Sequence, residues 1–241
     1  MKNNKLNLNA DKSNYLIIHN KKQFREIRIE IDGIEVRRLD RTKYLGVIVD
    51  DKLTWRHHID HTVKKISKCI WAIVKLRPYA DLNTLKLIYY SLAYPHLLYC
   101  VSIWGGASQN YLQPLLIKQK QLLRLMLFKP YTHPSRELFK KLEFLNVNQI
   151  FQFQIGKLMY KHHKNISKMP QDLNLLSSLY SYTTRSISNS NYFIPPAKTN
   201  FRKNSFSFLG PKVWNKIPTN IKTLPAYIFN KRLKDHILRS E

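Results

Sequence analysis

From residue 87 to residue 117 the chain carries no Lys, Arg, Asp or Glu, although such residues make up 23% of the whole. An uncharged run of this length can be satisfied inside a protein core or inside a bilayer. Leu87 to Trp104 is predominantly apolar, but it holds four tyrosines, with Pro95 and His96 in its middle. A span needs about 20 mainly apolar residues, and polar groups at its centre are costly. The stretch therefore reads as a buried core element that Pro95 divides or kinks, and no membrane partner is expected. With 44% hydrophobic residues the chain has material for a real core, and its 241 residues suit one large or two small domains of roughly 100–200 residues each.

Charge sets the second constraint. Lys and Arg number 41 against 15 Asp and Glu, a formal net charge of +26. Such an excess adds self-repulsion, which an anionic partner relieves. A polyphosphate is the leading partner, because each neutralised phosphate releases counterions; an acidic membrane surface is the second. The surplus is uneven. Residues 1–60 carry 13 basic and nine acidic side chains, and residues 61–241 carry 28 and six. Anion binding is expected mainly in the later part.

The hydrophobic period changes near residue 56. Before it the chain reads as strands and turns. Ile27, Ile29 and Ile31 alternate with Arg28 and Glu30, Asp32-Gly33 makes a two-residue turn, and Ile34 and Val36 resume the alternation. Tyr44 to Val49 reads as another strand. Between His61 and Arg77 the period is helical. Val63, Ile66, Ile70, Ile73 and Val74 share one face, and Lys64, Lys65, Lys68 and Lys75 the opposite one. Asn83 or Thr84 can cap a second helix that runs to Pro95. A third is expected from about Tyr111 to Phe128, with Lys118, Gln121 and Arg124 away from its apolar stripe. A fourth follows Pro134, and a fifth begins at Asn146, whose partner Gln149 completes a capping box. After Met169-Pro170, eight serines between Ser177 and Ser207 and the Pro195-Pro196 pair predict loop or loosely packed tail. Order resumes near Gly210-Pro211 and ends in a short helix around Tyr227–Leu238.

Few residues suggest chemistry. Cys69 and Cys100 lie in apolar helical patterns and read as reduced thiols of an intracellular protein, nuclear or cytoplasmic. Met1-Lys2-Asn3-Asn4-Lys5 leads into polar residues, unlike a secretory signal. His57, His58 and His61 with Asp60 form a local cluster, but structural zinc wants four N or S ligands and no Cys-x-x-Cys accompanies them; surface histidines at a helix start are the simpler reading, and no metal ligand set is assigned. Six glycines leave little for a phosphate loop.

Several segments, taken in order, resemble one family. They are Asn4-Lys5-Leu6-Asn7-Leu8-Asn9 with Lys12-Ser13-Asn14-Tyr15, Lys43-Tyr44-Leu45-Gly46-Val47-Ile48-Val49-Asp50, and Lys52-Leu53-Thr54-Trp55. Leu87-Ile88-Tyr89-Tyr90-Ser91-Leu92, Tyr94-Pro95, Leu98-Tyr99-Cys100 and Ile103-Trp104-Gly105 follow. Tyr182-Thr183-Thr184-Arg185 and Gly210 with Trp214-Asn215-Lys216-Ile217-Pro218 close the set. The ordered set resembles the C-terminal part of jockey-like non-LTR retrotransposon reverse transcriptases.

The resemblance implies a mainly α chain with a small N-terminal α+β remnant. Palm-end hairpins at residues 1–55 would precede a helical thumb-like bundle at 56–168 and an irregular C-terminal tail at 169–241. Such polymerases hold two Mg²⁺ ions with aspartates, two of them adjacent in a Phe/Tyr-Ala-Asp-Asp hairpin. In the family that hairpin lies upstream of the matching position of Met1, so no cofactor is expected in this chain and the chain alone is expected to be inactive. Tyr79-Ala80-Asp81 imitates the motif, but Leu82 stands where the second aspartate belongs. Lys12 matches a lysine that protonates departing pyrophosphate, though an exposed loop lysine would look the same. Tyr44, Leu45 and Gly46 fall in the counterpart of the primer grip, a hairpin behind the primer terminus; Gly46 equally suits an ordinary strand. The thumb grips template–primer duplex. That role suits Lys64, Lys65, Lys68 and Lys75, with Lys118, Arg124 and Lys129 as weaker candidates, against the plainer alternative of a solvated face. Expected partners are RNA or an RNA–DNA template–primer duplex and the remainder of the polymerase polypeptide. The rival reading is a domesticated, non-catalytic basic scaffold that binds RNA or DNA.

Overall fold

The computed structural model describes residues 9, 12–19, 27–167, 173–181 and 184–240. Residues 4–8 of the first resembling segment, Met169-Pro170 and Tyr182-Thr183 lie outside these. The chain divides into two compact units at the His61–Thr62 bond. The described residues are mostly helical, with a few short strands confined to the first unit.

Among the described residues of the first unit, six short strands make three separate ladders. β1 (Asn14–Tyr15) pairs in parallel with β4 (Arg37–Arg38). β2 (Glu30–Ile31) and β3 (Ile34–Glu35) form the expected hairpin, with Ile31 opposite Ile34. Its turn residues Asp32 and Gly33 sit at φ 51° and 78°, the left-handed pair that matches strand twist in a two-residue turn. β5 (Arg41–Tyr44) and β6 (Val47–Asp50) form a second hairpin, with Tyr44 opposite Val47. This corrects the single strand expected from Tyr44 to Val49. Leu45 and Gly46 turn the chain at φ 45° and 84°, so Gly46 serves a turn and not a strand.

The link from β6 into the helix α1 (Arg56–Leu76) is fastened by one buried carboxylate. Asp50 Oδ1 accepts from Thr54 N at 2.9 Å and Lys52 N at 3.3 Å, and its Oδ2 accepts from Trp55 N at 2.9 Å. These bonds hold Leu53 and Trp55 at φ 49° and 64°, conformations an L residue adopts only at a cost. They also satisfy N–H groups that lead into the first turn of α1.

The second unit contains the rest of α1 and all later elements. α2 (Leu82–Ile88) continues through a π-helical turn (Tyr89–Ala93) into α3 (Tyr94–Leu98). Pro95 does not end this helix, as its sequence position suggested. The wider π turn precedes it, and Pro95 enters at the start of α3, where a missing N–H is tolerated. The reversal comes later, at Cys100, whose φ of 51° separates α3 from α4 (Val101–Trp104). The uncharged stretch is buried on one side only: Tyr89, Ala93, Leu97, Val101 and Trp104 are sealed, while Leu87, Leu92, Tyr99 and Ile103 are exposed. Among the described residues no helix is long and apolar enough to cross a membrane.

α5 (Gln109–Met126), α6 (Ser135–Leu142) and α7 (Val147–His163) follow, the last opened by the expected capping box of Asn146 and Gln149. Gln119, fully buried on α5, joins three segments. Its Nε2 donates to Tyr89 Oη at 3.0 Å and to Leu145 O at 2.8 Å, and its Oε1 accepts from Val147 N at 2.9 Å. Tyr89 in turn stacks on Phe144 with centroids 4.3 Å apart.

Where an irregular tail was expected, α8 (Leu176–Leu179), α9 (Arg185–Ser188) and α10 (Asn200–Lys203) are short, and α11 (Phe206–Trp214), α12 (Thr219–Lys222) and α13 (Ala226–Arg239) complete the core. α11 and α13 pack on α7. Gly210 and Gly156 make the approach possible: a Cβ at Gly210 would meet Met159 Sδ at 2.7 Å, and one at Gly156 would meet Leu233 Cδ2 at 2.8 Å. Trp214 and Asn215 explain the order of the segment before them. Trp214 Nε1 donates to Ser190 O at 3.0 Å, and the Asn215 amide pairs with both backbone groups of Tyr192, at 2.9 and 2.8 Å. Local sequence around the serines carries no periodicity, so this anchoring could be seen only once residues 23 or more positions apart were brought together.

Gln119→Leu keeps the bulk of the side chain but strands the Val147 N–H and Leu145 carbonyl. At about 1–3 kcal/mol for each unsatisfied buried group, urea unfolding should show a loss of about 2–5 kcal/mol, whereas Leu87→Ala on the exposed side should change stability by less than about 1 kcal/mol.

Candidate nucleic-acid interface

The amphipathic reading of α1 puts its lysines and its apolar residues on different sides. Ile66, Ile70 and Ile73 are buried, Lys64, Lys68 and Lys75 are exposed, and Lys65 is half-buried. Val74, expected on the apolar face, is 41% exposed. One residue of α1 escaped the sequence reading. Trp71 is 66% exposed and lies between Lys68 and Lys75, whose Nζ is 5.8 Å from the Trp71 centroid. The spacing 64, 68, 71, 75 is that of one helical stripe, and it was the signal that could have revealed Trp71.

Lys118 is half-buried on α5. Arg124 is engaged within the fold: its Nε donates to His133 O at 3.0 Å, and its guanidinium lies 5.3 Å from the Tyr131 ring. Arg77, at the end of α1, donates from Nη1 to Leu125 O at 3.4 Å and covers Phe128 at 4.8 Å. The chain just after α1 therefore meets the end of α5, where Arg77 lies over Phe128 and Arg124 over Tyr131. Phe128 and Tyr131 were also missed, because each follows the helical period and stands in a turn.

In the first unit Lys12 is exposed, and its backbone N–H donates to Asn9 Oδ1 at 3.0 Å. The strand that follows it, β1, pairs with β4 and not with the hairpin of Tyr44, Leu45 and Gly46. Tyr44 and Leu45 display their side chains at the tip, 67% and 74% exposed.

The histidine cluster serves the fold. His58 is buried and accepts at Nδ1 from Ile48 N at 3.3 Å, which ties the helix start to β6, and His57 Nδ1 lies 2.9 Å from Arg41 Nη1. Asp81 is the N-cap of α2, in place of Asn83 or Thr84. It accepts from Thr84 N at 2.9 Å, and hydrogen bonds from Thr84, side chain and then backbone, hold its carboxyl below the usual carboxylate range. Among the described residues no group of three His, Cys, Asp or Glu side chains is placed to hold a metal ion. Asp50 spends both oxygens on backbone N–H groups, and Asp81 caps a helix. A cavity of about 660 Å³ in the second unit has Lys212, Lys216 and His236 among its lining residues, with no carboxylate.

Lys222 differs from the cations above. It is 2% exposed, donates to Asn189 O at 3.0 Å and Asn191 Oδ1 at 2.8 Å, and sits over the Trp214 ring at 5.3 Å. Both acceptors are neutral, and burial pushes its ammonium down to about 8. It clamps residues 189–191 to α12 and does not face solvent.

The residues thus describe a helical unit with an exposed lysine stripe. The chain is similar to RNA-directed DNA polymerases of mobile elements. It is 26% identical over 149 residues to the RNA-directed DNA polymerase from mobile element jockey of Drosophila funebris, a match that covers 60% of this chain and 16% of that protein. It is 28% identical over 119 residues to the jockey polymerase of Drosophila melanogaster, covering 48% and 13%. A probable RNA-directed DNA polymerase from transposon BS of the same species is 23% identical over 147 residues, covering 58% and 16%. No family model matches, and no solved structure matches. The chain resembles a jockey-like non-LTR retrotransposon reverse transcriptase, and the match spans about one-sixth or less of each relative's length.

The buried lysine makes a pH prediction. Its folded pKa lies below the unfolded value of a lysine, so the unfolded chain binds the extra proton. The penalty is complete below pH 8 and fades as pH rises from 8 toward 10.5. Denaturant unfolding of the wild type should therefore gain stability relative to Lys222→Met over that interval, and a flat difference would contradict it.

Proposed function

We propose that the second unit binds template–primer nucleic acid through the lysine stripe of α1, as the thumb-like portion of a jockey-like RNA-directed DNA polymerase. The observation that carries this reading is the exposure of Lys64, Lys68 and Lys75 opposite the buried Ile66, Ile70 and Ile73. An α-helix with ammonium groups at four- and seven-residue intervals on one face tracks phosphates and reads no base, which suits a polymerase that must hold any sequence. The surplus of 28 basic over six acidic side chains after residue 60 supports the same partner.

Two parts of the first unit join the proposal by resemblance. The Leu45-Gly46 turn would face the primer terminus with Tyr44 beside it, and Lys12 would protonate leaving pyrophosphate in the intact polymerase. The chain by itself binds without polymerising. Primer extension by the purified chain in Mg²⁺, abolished by Lys12→Ala, would sink that statement. If binding shows no preference for a recessed primer end over uniform duplex, a basic RNA- or DNA-binding scaffold describes the chain better.

Binding to a DNA duplex measured by anisotropy across salt concentrations tests the stripe. Each phosphate contact adds about 0.9 to the slope of log K against log salt. Replacing Lys64, Lys68 and Lys75 with Gln should lower that slope by about 2–3, and an unchanged slope would refute the assignment.

A further inference from the structure

Two exposed rings where the end of α1 meets the end of α5 each hold a cation against one side, and a third such pair lies further back on α1. Lys75 Nζ lies 5.8 Å from the centroid of Trp71, Arg77 Cζ 4.8 Å from Phe128, and Arg124 Cζ 5.3 Å from Tyr131. The rings are nevertheless 66%, 60% and 73% exposed, so much of each remains open to solvent. Flat aromatic surface of this extent is unfavourable in water and is a feature of binding sites when it recurs in one place. The arrangement is also fixed. Arg77 is bonded to Leu125 O and Arg124 to His133 O, which leaves other guanidinium N–H groups to meet an anion. Phe128 stands at φ 52°, a left-handed conformation that costs a bulky residue energy and carries its ring past the end of α5.

We infer that this aromatic–basic end takes the unpaired bases of a single-stranded nucleic acid. The inference rests on the nucleic-acid reading above and extends it from duplex phosphates to single-stranded bases. Charge selects the occupant, because exposed rings paired with cations suit a ligand that alternates phosphates with flat bases. The lysine stripe grips phosphate alone and is indifferent to whether bases are present. Phe128 and Tyr131 are useful only when a base can leave its pair and stack. Strand separation next to a gripped duplex would place such bases here.

The test uses the full chain with three probes: a blunt duplex, an oligo-dT strand, and a strand of equal length whose bases are absent. Anisotropy at one fixed salt concentration reads all three. Wild type should bind oligo-dT roughly tenfold or more tighter than the abasic strand, since each stacked base is worth about five- to hundredfold. Phe128→Leu with Tyr131→Leu keeps apolar bulk and removes the flat faces. That variant should lose most of the advantage of oligo-dT, keep its affinity for the duplex and the abasic strand within about twofold, and regain part of the advantage with Trp at position 128. Retained duplex binding also shows that the variant is folded. Equal binding of oligo-dT and abasic strand by wild type overturns the stacking site and leaves the lysine stripe standing. No binding of any probe at low salt overturns both.

Discussion

A buried primary amide needs partners for two donors and an acceptor, and the second unit is arranged around meeting that need at Gln119. Its side chain reaches Tyr89, Leu145 and Val147 from the middle of α5. Those bonds fix the π-helical turn, the loop after α6 and the first turn of α7 against one helix. In a low-dielectric interior an unmet polar group costs more than a met one gains, so the three segments have one arrangement that satisfies all of them. α7, so positioned, offers the surface on which α11 and α13 pack.

That core also decides what is left outside. α1 contributes its isoleucines to the interior and keeps Lys64, Lys68, Lys75 and Trp71 in water. Arg77 and Arg124 also serve as struts, each bonded through one N–H to a backbone carbonyl and each lying over a ring. Lys222 is taken out of solvent altogether, with neutral oxygens and an indole as company. A count of basic residues treats these cations alike. Their positions sort them into an exposed stripe, a fixed aromatic–basic end and a structural clamp.

Features governed by neighbours in the chain are legible from the residues alone. The Asp32-Gly33 turn, the amphipathic period of α1, the apolar stripe of α5 and the Asn146–Gln149 box depend on residues within a few positions of one another. Errors arose where a local signal had two physical outcomes. Pro95 can break a helix or begin a new segment after a wider turn, and Gly46 can lie in a strand or turn one. Asp81 resembled part of a metal motif by letters, while its carboxylate meets the N–H of Thr84. The lysines of the candidate interface were legible from period alone. Its aromatic members were not, because an apolar side chain gives no sign in sequence of which residues will be buried first.

The sequence by itself determined a mainly helical chain, its large basic surplus, the positions of its hairpin and capping signals, and its resemblance to the polymerases of jockey-like elements. Those follow from composition, short-range backbone preference and ordered motifs. Only the tertiary structure decided that the uncharged stretch is buried on one side, that the serine-rich region is pinned by Trp214 and Asn215, and that the ends of α1 and α5 meet around exposed rings. These depend on contacts between residues far apart in the chain, where packing and the pairing of buried polar groups outweigh local preference.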